Sequence, residues 1–187
     1  MSENNKQVWF GLTGRNASGK TTVCEYLRDK KGFTSCSCSD SIRAHLRQNG
    51  LEVCRENLIK GGRELRAKGG AGVLAEMLLK SNKDVLNLAV DSIRTPDEVN
   101  ALKQRQNFKL IDVRVNRDIR WERMVKRGRQ GDPSDYETFV QQEEAELKAS
   151  DSSGQALDAT ASKADIVIDN EGDLQALYKK IDDLLGL

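Results

Sequence analysis

Gly14-Arg15-Asn16-Ala17-Ser18-Gly19-Lys20-Thr21 follows directly on the apolar run Val8 to Leu12 and opens a helical pattern. Glycine, four residues, glycine, lysine and a hydroxyl, set between a strand and a helix, is the spacing of a loop that wraps phosphate groups. Gly14 and Gly19 permit a tight turn. Successive backbone N–H groups then point inward at phosphate oxygens, and the following helix adds its positive N-terminal end. Lys20 can reach the outer phosphates of a nucleotide, and the Thr21 hydroxyl is placed to ligand a Mg²⁺ ion bridging them. Arg15, Asn16, Ala17, Ser18 and Thr22 complete the expected binding surface. At an effective dielectric of about 20, one lysine charge about 4 Å from a phosphate charge is worth roughly 4 kcal/mol before desolvation is deducted.

The chain has 187 residues, a single-domain size that allows a proper core. Its 30 basic and 29 acidic residues leave a formal charge of +1, so composition gives no electrostatic case for binding nucleic acid or a membrane surface. Met1 to Lys6 is short and polar, and the apolar runs are strand-sized, with no signal-peptide core or spanning segment. The expectation is a soluble, cytoplasmic protein. Cys24, Cys36, Cys38 and Cys54 show no disulfide framework. Cys36 and Cys38 form a C-x-C that could supply half a metal site. Zinc needs about four converging ligands, however, and His45 is the sole histidine, so reduced thiols lining a strand end are the other reading.

Outward from the loop, Val8 to Leu12 reads as a buried first strand and Thr21 to Lys31 as its helix, stopped by Gly32. Phe33 to Cys38 is a second strand. Ser39-Asp40-Ser41 opens a helix ended by Asn49-Gly50, and two further helices span Arg55 to Lys68 and Gly72 to Lys80, with Gly69-Gly70 a hinge or a turn between them. Val85 to Val90 is the third strand, closed by Asp91. Thr95, Pro96 and Glu98 form a capping box for a helix to about Arg105. Phe108 to Val115 is the fourth strand, and Asn116 caps a helix from Arg117 to Arg127 that Gly128 ends. Ser134 and Glu137 form a second capping box, for an acidic helix to about Lys148. Ser150 to Ser162 reads as a mobile loop. Ile166 to Ile168 is the last strand, and Asp173 caps a final helix with Leu174, Leu177, Ile181 and Leu184 at helical spacing. Five alternations of strand and helix imply a parallel sheet covered on both faces. Right-handed crossovers then collect every strand's C-terminal end along one edge, where the chemistry belongs.

That edge receives Asp40 and Arg43 after the second strand, Asp91 and Arg94 after the third, and Arg117, Arg120, Arg123 and Arg127 on the helix after the fourth. Phosphoryl transfer needs a carboxylate for the metal or for an acceptor's proton, and arginines for the anions. Asp91 is either that carboxylate, reaching the metal at Thr21, or a turn former before Thr95. Asp40 either contacts an acceptor hydroxyl or caps the Ser41 helix. Arg43 and Arg94 could fork onto an acceptor phosphate, or remain ordinary surface arginines. Arg120, Arg123 and Arg127 share one helical face, which is either the inner stripe of a lid with a flexible Gly128-Arg129-Gln130-Gly131 tip, or a solvated face paired with Glu122 and the Glu143-Glu144-Glu146 run. Arg55, Arg63 and Arg66 are further acceptor-side candidates.

Gly11 to Gly14, Ser18 to Val23, Trp121 to Arg127 and Ala164 to Gly172 together resemble the loop, lid helix, closing strand and base-side loop of dephospho-CoA kinases and their relatives. The resemblance runs the whole chain in order. Val90-Asp91-Ser92-Ile93-Arg94 replaces the proline- and leucine-rich segment of those enzymes. With Cys38 to Arg43 and Arg127-Gly128-Arg129, it makes the chain closer to an uncharacterised group of nucleotide-kinase-like P-loop proteins of archaea and bacteria, described by analogy as adenylate-kinase-related, deoxynucleoside monophosphate kinase-like or dephospho-CoA kinase-like. The resemblance implies a P-loop NTPase three-layer α/β sandwich of the nucleoside monophosphate kinase kind. Its sheet has five parallel strands, helices on both faces and a small lid at about 117–148, with acceptor-binding helices at about 39–80 in a single 1–187 domain. It implies ATP with Mg²⁺ as donor.

These readings converge on phosphoryl transfer to a small nucleotide, a nucleoside or deoxynucleoside monophosphate first. Ribose phosphorylation of dephospho-CoA type and a nucleotide-hydrolysing switch acting through the 128–163 region are the alternatives. In the first reading Lys20 and Thr21 handle donor phosphates and metal, Asp91 the metal's outer shell, Asp40, Arg43 and Arg94 the acceptor, and Arg123 and Arg127 the migrating phosphoryl. Lys20→Ala is expected to abolish ADP release in a coupled assay while leaving the thermal midpoint close to that of the parent.

Overall fold

In the computed structural model, which describes residues 7–129, 132–148 and 156–186, strand β1 (Trp9–Thr13) is the axis on which the layers are built. All five of its residues are buried, because it has a strand on each side and helices above and below. Strands β2 (Thr34–Ser37), β3 (Leu88–Asp91), β4 (Phe108–Arg114) and β5 (Ile166–Asp169) complete a sheet of order β2-β3-β1-β4-β5, parallel throughout, with Trp9 opposite both Leu88 and Phe108. Parallel neighbours need crossover connections, and the helices supply them. Side chains alternate across the sheet. Phe10 and Leu12 pack with Val23 and Leu27 of α1 (Lys20–Lys31) and, further along the chain, Leu177 and Ile181. On the opposite face Trp9 shares a core with α2 (Cys38–Gln48), α3 (Arg55–Gly69), α4 (Val73–Ser81) and α5 (Pro96–Leu102) through Ile42, Leu46, Leu74, Leu78, Val99 and Leu102, with Leu58 and Leu65 of α3 partly buried against it. Gly11 is required on that face, since a Cβ there would collide with Ile93 and the Phe108 ring.

After β4 come α6 (Arg117–Arg127), α7 (Tyr136–Lys148) and α8 (Leu157–Ala161), and α9 (Leu174–Leu185) follows β5. The α1 and α9 layer is fastened by Tyr26, whose ring stacks on Tyr178 at 4.1 Å and whose hydroxyl donates to the Asp182 carboxylate at 2.9 Å. Among the described residues no helix is long and apolar enough to cross a membrane.

Several boundaries differ from the sequence reading, each for a local reason. The third strand begins at Leu88 rather than Val85, because the Val85 carbonyl accepts from Trp9 Nε1 and Arg105 Nη2, both at 3.0 Å, instead of joining the ladder. Helix α2 starts at Cys38, one turn before Ser41, because Ser37 serves as its N-cap and Asp40 stands at the third helical position. At α7 the Ser134–Glu137 box gives way to Asp135, whose carboxylate accepts from the Thr138 N–H at 2.8 Å. Within the expected Ser150 to Ser162 loop, α8 buries Leu157 and Thr160; residues 149–155 lie outside the described residues, as do Gln130 and Gly131 of the expected lid tip. In α9 Leu177 and Ile181 are buried, whereas Leu174 and Leu184 are exposed.

Arg120 also departs from the expected stripe. It does share a face with Arg127, but seven residues, about 10 Å of helix, separate them, and the two ends meet different neighbours. At its end Arg120 is buried against α7, where both terminal guanidinium nitrogens donate to the Glu143 carboxylate, Nη2 at 3.0 Å, and Nε donates to the Val115 carbonyl at 3.1 Å. Arg117 adds a contact to Glu143 at 3.4 Å, and Trp121, Tyr136 and Phe139 pack beside the pair. Removing one partner of such a pair strands a buried charge. Glu143→Ala is therefore expected to cost about 3–5 kcal/mol in urea unfolding, with the joint replacement Arg120→Met and Glu143→Leu recovering most of the loss.

Candidate functional site: the phosphate loop and its cleft

Between β1 and α1 the chain runs through two left-handed glycines, Gly14 at φ +132° and Gly19 at φ +104°. The reason for the first is spatial as well as torsional: a Cβ on Gly14 would strike the Val113 carbonyl of β4. Gly19 is the N-cap of α1, and a Cβ there would strike the Asn170 amide. Ala17, at φ +60°, takes the same left-handed conformation without a glycine's freedom, a local strain characteristic of binding loops. Lys20 Nζ lies along the loop and donates to the Gly14 and Arg15 carbonyls at 2.8 and 2.9 Å.

Thr21 and Asp91 meet as the sequence suggests. The Thr21 hydroxyl donates to Asp91 Oδ2 at 3.4 Å, and the Ser92 hydroxyl donates to Asp91 Oδ1 at 3.1 Å. Ser92 sits at φ +58°, and the next N–H, of Ile93, bonds the Leu12 carbonyl at 2.9 Å. The strained residue thus turns the chain just where the carboxylate must face the loop.

A cleft of about 1010 Å³ opens over these groups, lined by the loop, Arg94, Arg123, Arg127 and the segment from Asn170 to Leu177. The structure brings Lys20, Thr21, Thr22, Arg94, Arg123 and Arg127 to this cleft, and Asp91 reaches it through Thr21. Asp40 and Arg43 are not among its lining residues. Asp40 Oδ2 accepts from the Ser37 N–H at 2.7 Å and Oδ1 from Arg43 Nη1 at 2.8 Å, so these two side chains serve the start of α2 and each other.

The arginines differ in their partners. Arg127 is held by Asp132 through Nε and Nη2, at 3.0 and 2.8 Å, and Nη2 also reaches Asn16 Oδ1 at 3.1 Å. The hydrogen bond from Arg127 holds the Asp132 carboxyl below the usual carboxylate range. Arg123 Nη2 donates to the Asn170 carbonyl at 2.8 Å, while its Nη1 is buried with no hydrogen-bond partner among the described residues; burial lowers the pKa of this guanidinium. Buried donors normally have a partner, so an unpaired Nη1 on a residue that lines the cleft singles Arg123 out. Beyond β3, on the other side of β1 from β4, Arg94 is exposed, its backbone fixed by the buried Glu98 carboxylate, which accepts from the Arg94 N–H at 2.9 Å. Arg66 of α3 approaches the same carboxylate at 3.5 Å.

The cysteines form no disulfide. Burial pushes the Cys36 thiol up to about 12, with Asp40 adding to the effect, and raises Cys24 and Cys38 as well. Among the described residues no three His, Cys, Asp or Glu side chains converge as a metal site.

Asp132 and Glu98 are site-building residues that sequence reasoning left without a role in the cleft, and Asn170 entered it only as part of the stretch resembling a base-side loop. Glu98 was legible only as a cap. Asp132 stands beyond the Gly128 that ends α6, where a chain that turns back can return a carboxylate to the last helical arginine. Asn170 directly follows β5, at the strand-end edge that supplies every other group.

Across residues 11–149 the chain matches the profile of a family described as an AAA domain. It is 30% identical over 180 residues to the UPF0200 protein MJ1399 of Methanocaldococcus jannaschii, covering 94% of this chain and 88% of that protein. The chain belongs to the UPF0200 family. A UPF0200 protein of Thermococcus gammatolerans is 27% identical over 181 residues, covering 93% and 92% of the two chains. The shikimate kinase from Acinetobacter baumannii, solved in complex with shikimate, shares the fold of this UPF0200 chain with a TM-score of 0.59 at 18% identity, over 97% of this chain and 94% of that one. The architecture is that of P-loop kinases: five parallel strands in a helix-covered sheet, with the phosphate loop after the central strand.

Two glycines of this UPF0200 chain separate torsional strain from collision. Gly32 is left-handed at φ +71° with nothing within 4 Å of a Cβ, so Gly32→Ala is expected to cost only the left-handed penalty of about 1–2 kcal/mol. Gly14→Ala adds the clash with Val113 and is expected to lower the urea midpoint further and to remove nucleotide binding, read by titration with a fluorescent ADP analogue.

Proposed function

We propose that this chain is a kinase that transfers the γ-phosphoryl of ATP, with Mg²⁺, to a small nucleotide, with a nucleoside or deoxynucleoside monophosphate as the first choice of acceptor. One observation carries the reading: the phosphate loop with its Thr21–Asp91 pair, Arg123 and Arg127 of α6, and Arg94 beyond β3 all address a single cleft. A hydrolytic switch needs a donor site, whereas a kinase needs a second anion site facing it, which is what Arg94 offers. The fold neighbour from Acinetobacter baumannii is itself a kinase, which supports phosphoryl transfer as the reaction class.

The metal fits the residues present. Mg²⁺ takes one or two protein oxygens and completes its shell with water and substrate phosphates, and a hydroxyl and a carboxylate 3.4 Å apart at the mouth of the loop are such a pair. Bound there, the ion would neutralise charge on the transferring phosphates. Lys20 turns from the Gly14 and Arg15 carbonyls onto the donor phosphates, and Arg123 and Arg127 take the charge that develops on the migrating group.

Asp40 bears on the choice of acceptor. A ribose hydroxyl, as in the dephospho-CoA kinase alternative, needs a base, and Asp40 has both oxygens engaged at the start of α2. A monophosphate is already ionised at neutral pH and needs none. The monophosphate reading therefore asks least of the chain as folded. Asp91 then serves the metal, the region of α6 and α7 acts as lid, and α2 to α4 flank the acceptor.

The test is coupled ADP release with Mg-ATP against a panel of nucleoside and deoxynucleoside monophosphates and dephospho-CoA. One acceptor is expected to raise the rate strongly in the parent, with Arg94→Ala raising that acceptor's KM about tenfold or more while acceptor-free turnover persists. A slow rate that no acceptor changes would overturn the kinase reading in favour of the switch.

A further inference from the structure

Asn170 is buried, follows β5 directly, and makes bonds in three directions. Its N–H donates to the Arg114 carbonyl at the end of β4 at 2.8 Å, its side-chain Nδ2 donates to the Ser18 carbonyl at 2.9 Å, and its own carbonyl accepts from Arg123 Nη2 at 2.8 Å. One residue, 152 positions from Ser18, therefore ties the phosphate loop to the lid helix. The contact at Gly19 is close enough that a Cβ would overlap the Asn170 amide, so the loop and this side chain are fitted to each other.

The geometry has a direct effect on the loop. A trans peptide sets its C=O and N–H in opposite directions, and the described chain has no cis bond. Holding the Ser18 carbonyl against Nδ2 therefore fixes the direction of the Gly19 N–H, the amide that heads α1. The same residue's carbonyl engages one guanidinium nitrogen of Arg123 and leaves Nη1, buried and without a hydrogen-bond partner among the described residues, for an anion.

We infer that Asn170 is a positioning residue for phosphate: through the Ser18 carbonyl and Arg123 it aims a loop amide and a lid guanidinium at one polyphosphate bound in the cleft. The inference rests on the nucleotide reading above, but it concerns donor binding and needs no acceptor. It ranks Asn170 with Lys20 in phosphate affinity, although Asn170 touches no phosphate itself.

The experiment compares the parent with Asn170→Ala and with Asn170→Asp, which keeps the shape but loses the donor. Calorimetric titration with Mg-ADP and with adenosine separates phosphate affinity from base affinity, and the Gly19 amide resonance is followed during the ADP titration. Both variants are expected to lose about tenfold or more in ADP affinity, a change expected of one charge-linked hydrogen bond, with adenosine affinity nearly unchanged. The large ADP-dependent movement of the Gly19 resonance in the parent should shrink in both. Weakening of ADP and adenosine in equal proportion, or a Gly19 resonance that still moves fully, would reduce Asn170 to a structural role and overturn the inference. If Asn170→Ala does not fold, Asn170→Asp decides. A parent that binds ADP but phosphorylates nothing overturns the kinase reading and leaves this comparison intact; a parent that binds no ADP overturns both.

Discussion

The close approach of Gly14 to the Val113 carbonyl is the constraint on which the rest of the site depends. It presses the phosphate loop against the end of β4, so the loop's path is set by the sheet and not by its own flexibility. From that contact the loop curls through Ala17 and Gly19, both left-handed, and meets Asn170 on the far side. Thr21 then emerges on the first turn of α1 facing β3, where the Ser92 turn has brought Asp91. Three strands thus fix one loop: β1 feeds it, β4 limits it and β3 supplies its carboxylate. Binding sites held by packed neighbours need little reorganisation when a ligand arrives.

The arginines of α6 show how one helix divides its charge between structure and chemistry. Toward its N-terminal end Arg117 and Arg120 converge on Glu143, a buried carboxylate of the next helix, and this pair joins α7 to α6. Toward its C-terminal end Arg123 and Arg127 meet the loop region through Asn170 and Asn16. A charge pair that fails when halved anchors α6 to α7 at one end, while at the other the guanidinium groups hold neutral oxygens and, at Arg127, the Asp132 carboxylate.

Much of this was legible in the residues. The loop motif, the alternation of strands and helices, and the caps at Thr95, Asn116 and Asp173 are local signals, and local signals survive folding well. The strand-end rule brought Asp91 to Thr21 across 70 positions without any contact being known. What was not legible depended on partners. Helical spacing placed Arg120 with Arg127 but could not tell that α7 would cover one and not the other. Asp40 carried two roles in sequence, and only the start of α2 one turn earlier shows its carboxylate in the capping box with Ser37. Asn170 fell within the stretch that resembles a base-side loop, but its bond to the Ser18 carbonyl, 152 residues away, left no trace in the local sequence.

The two tryptophans stand in very different places. Trp9 is fully buried in the central strand, its indole N–H bound to the Val85 carbonyl and Arg105 stacked over its ring. Trp121 lies half-buried on α6, between Tyr136 and Phe139. Indole emission follows its surroundings, and those of Trp9 cannot change while the sheet is intact. The chain therefore carries its own optical gauge, in which a constant signal from the centre sets the baseline and any change in emission reports on the packing between α6 and α7.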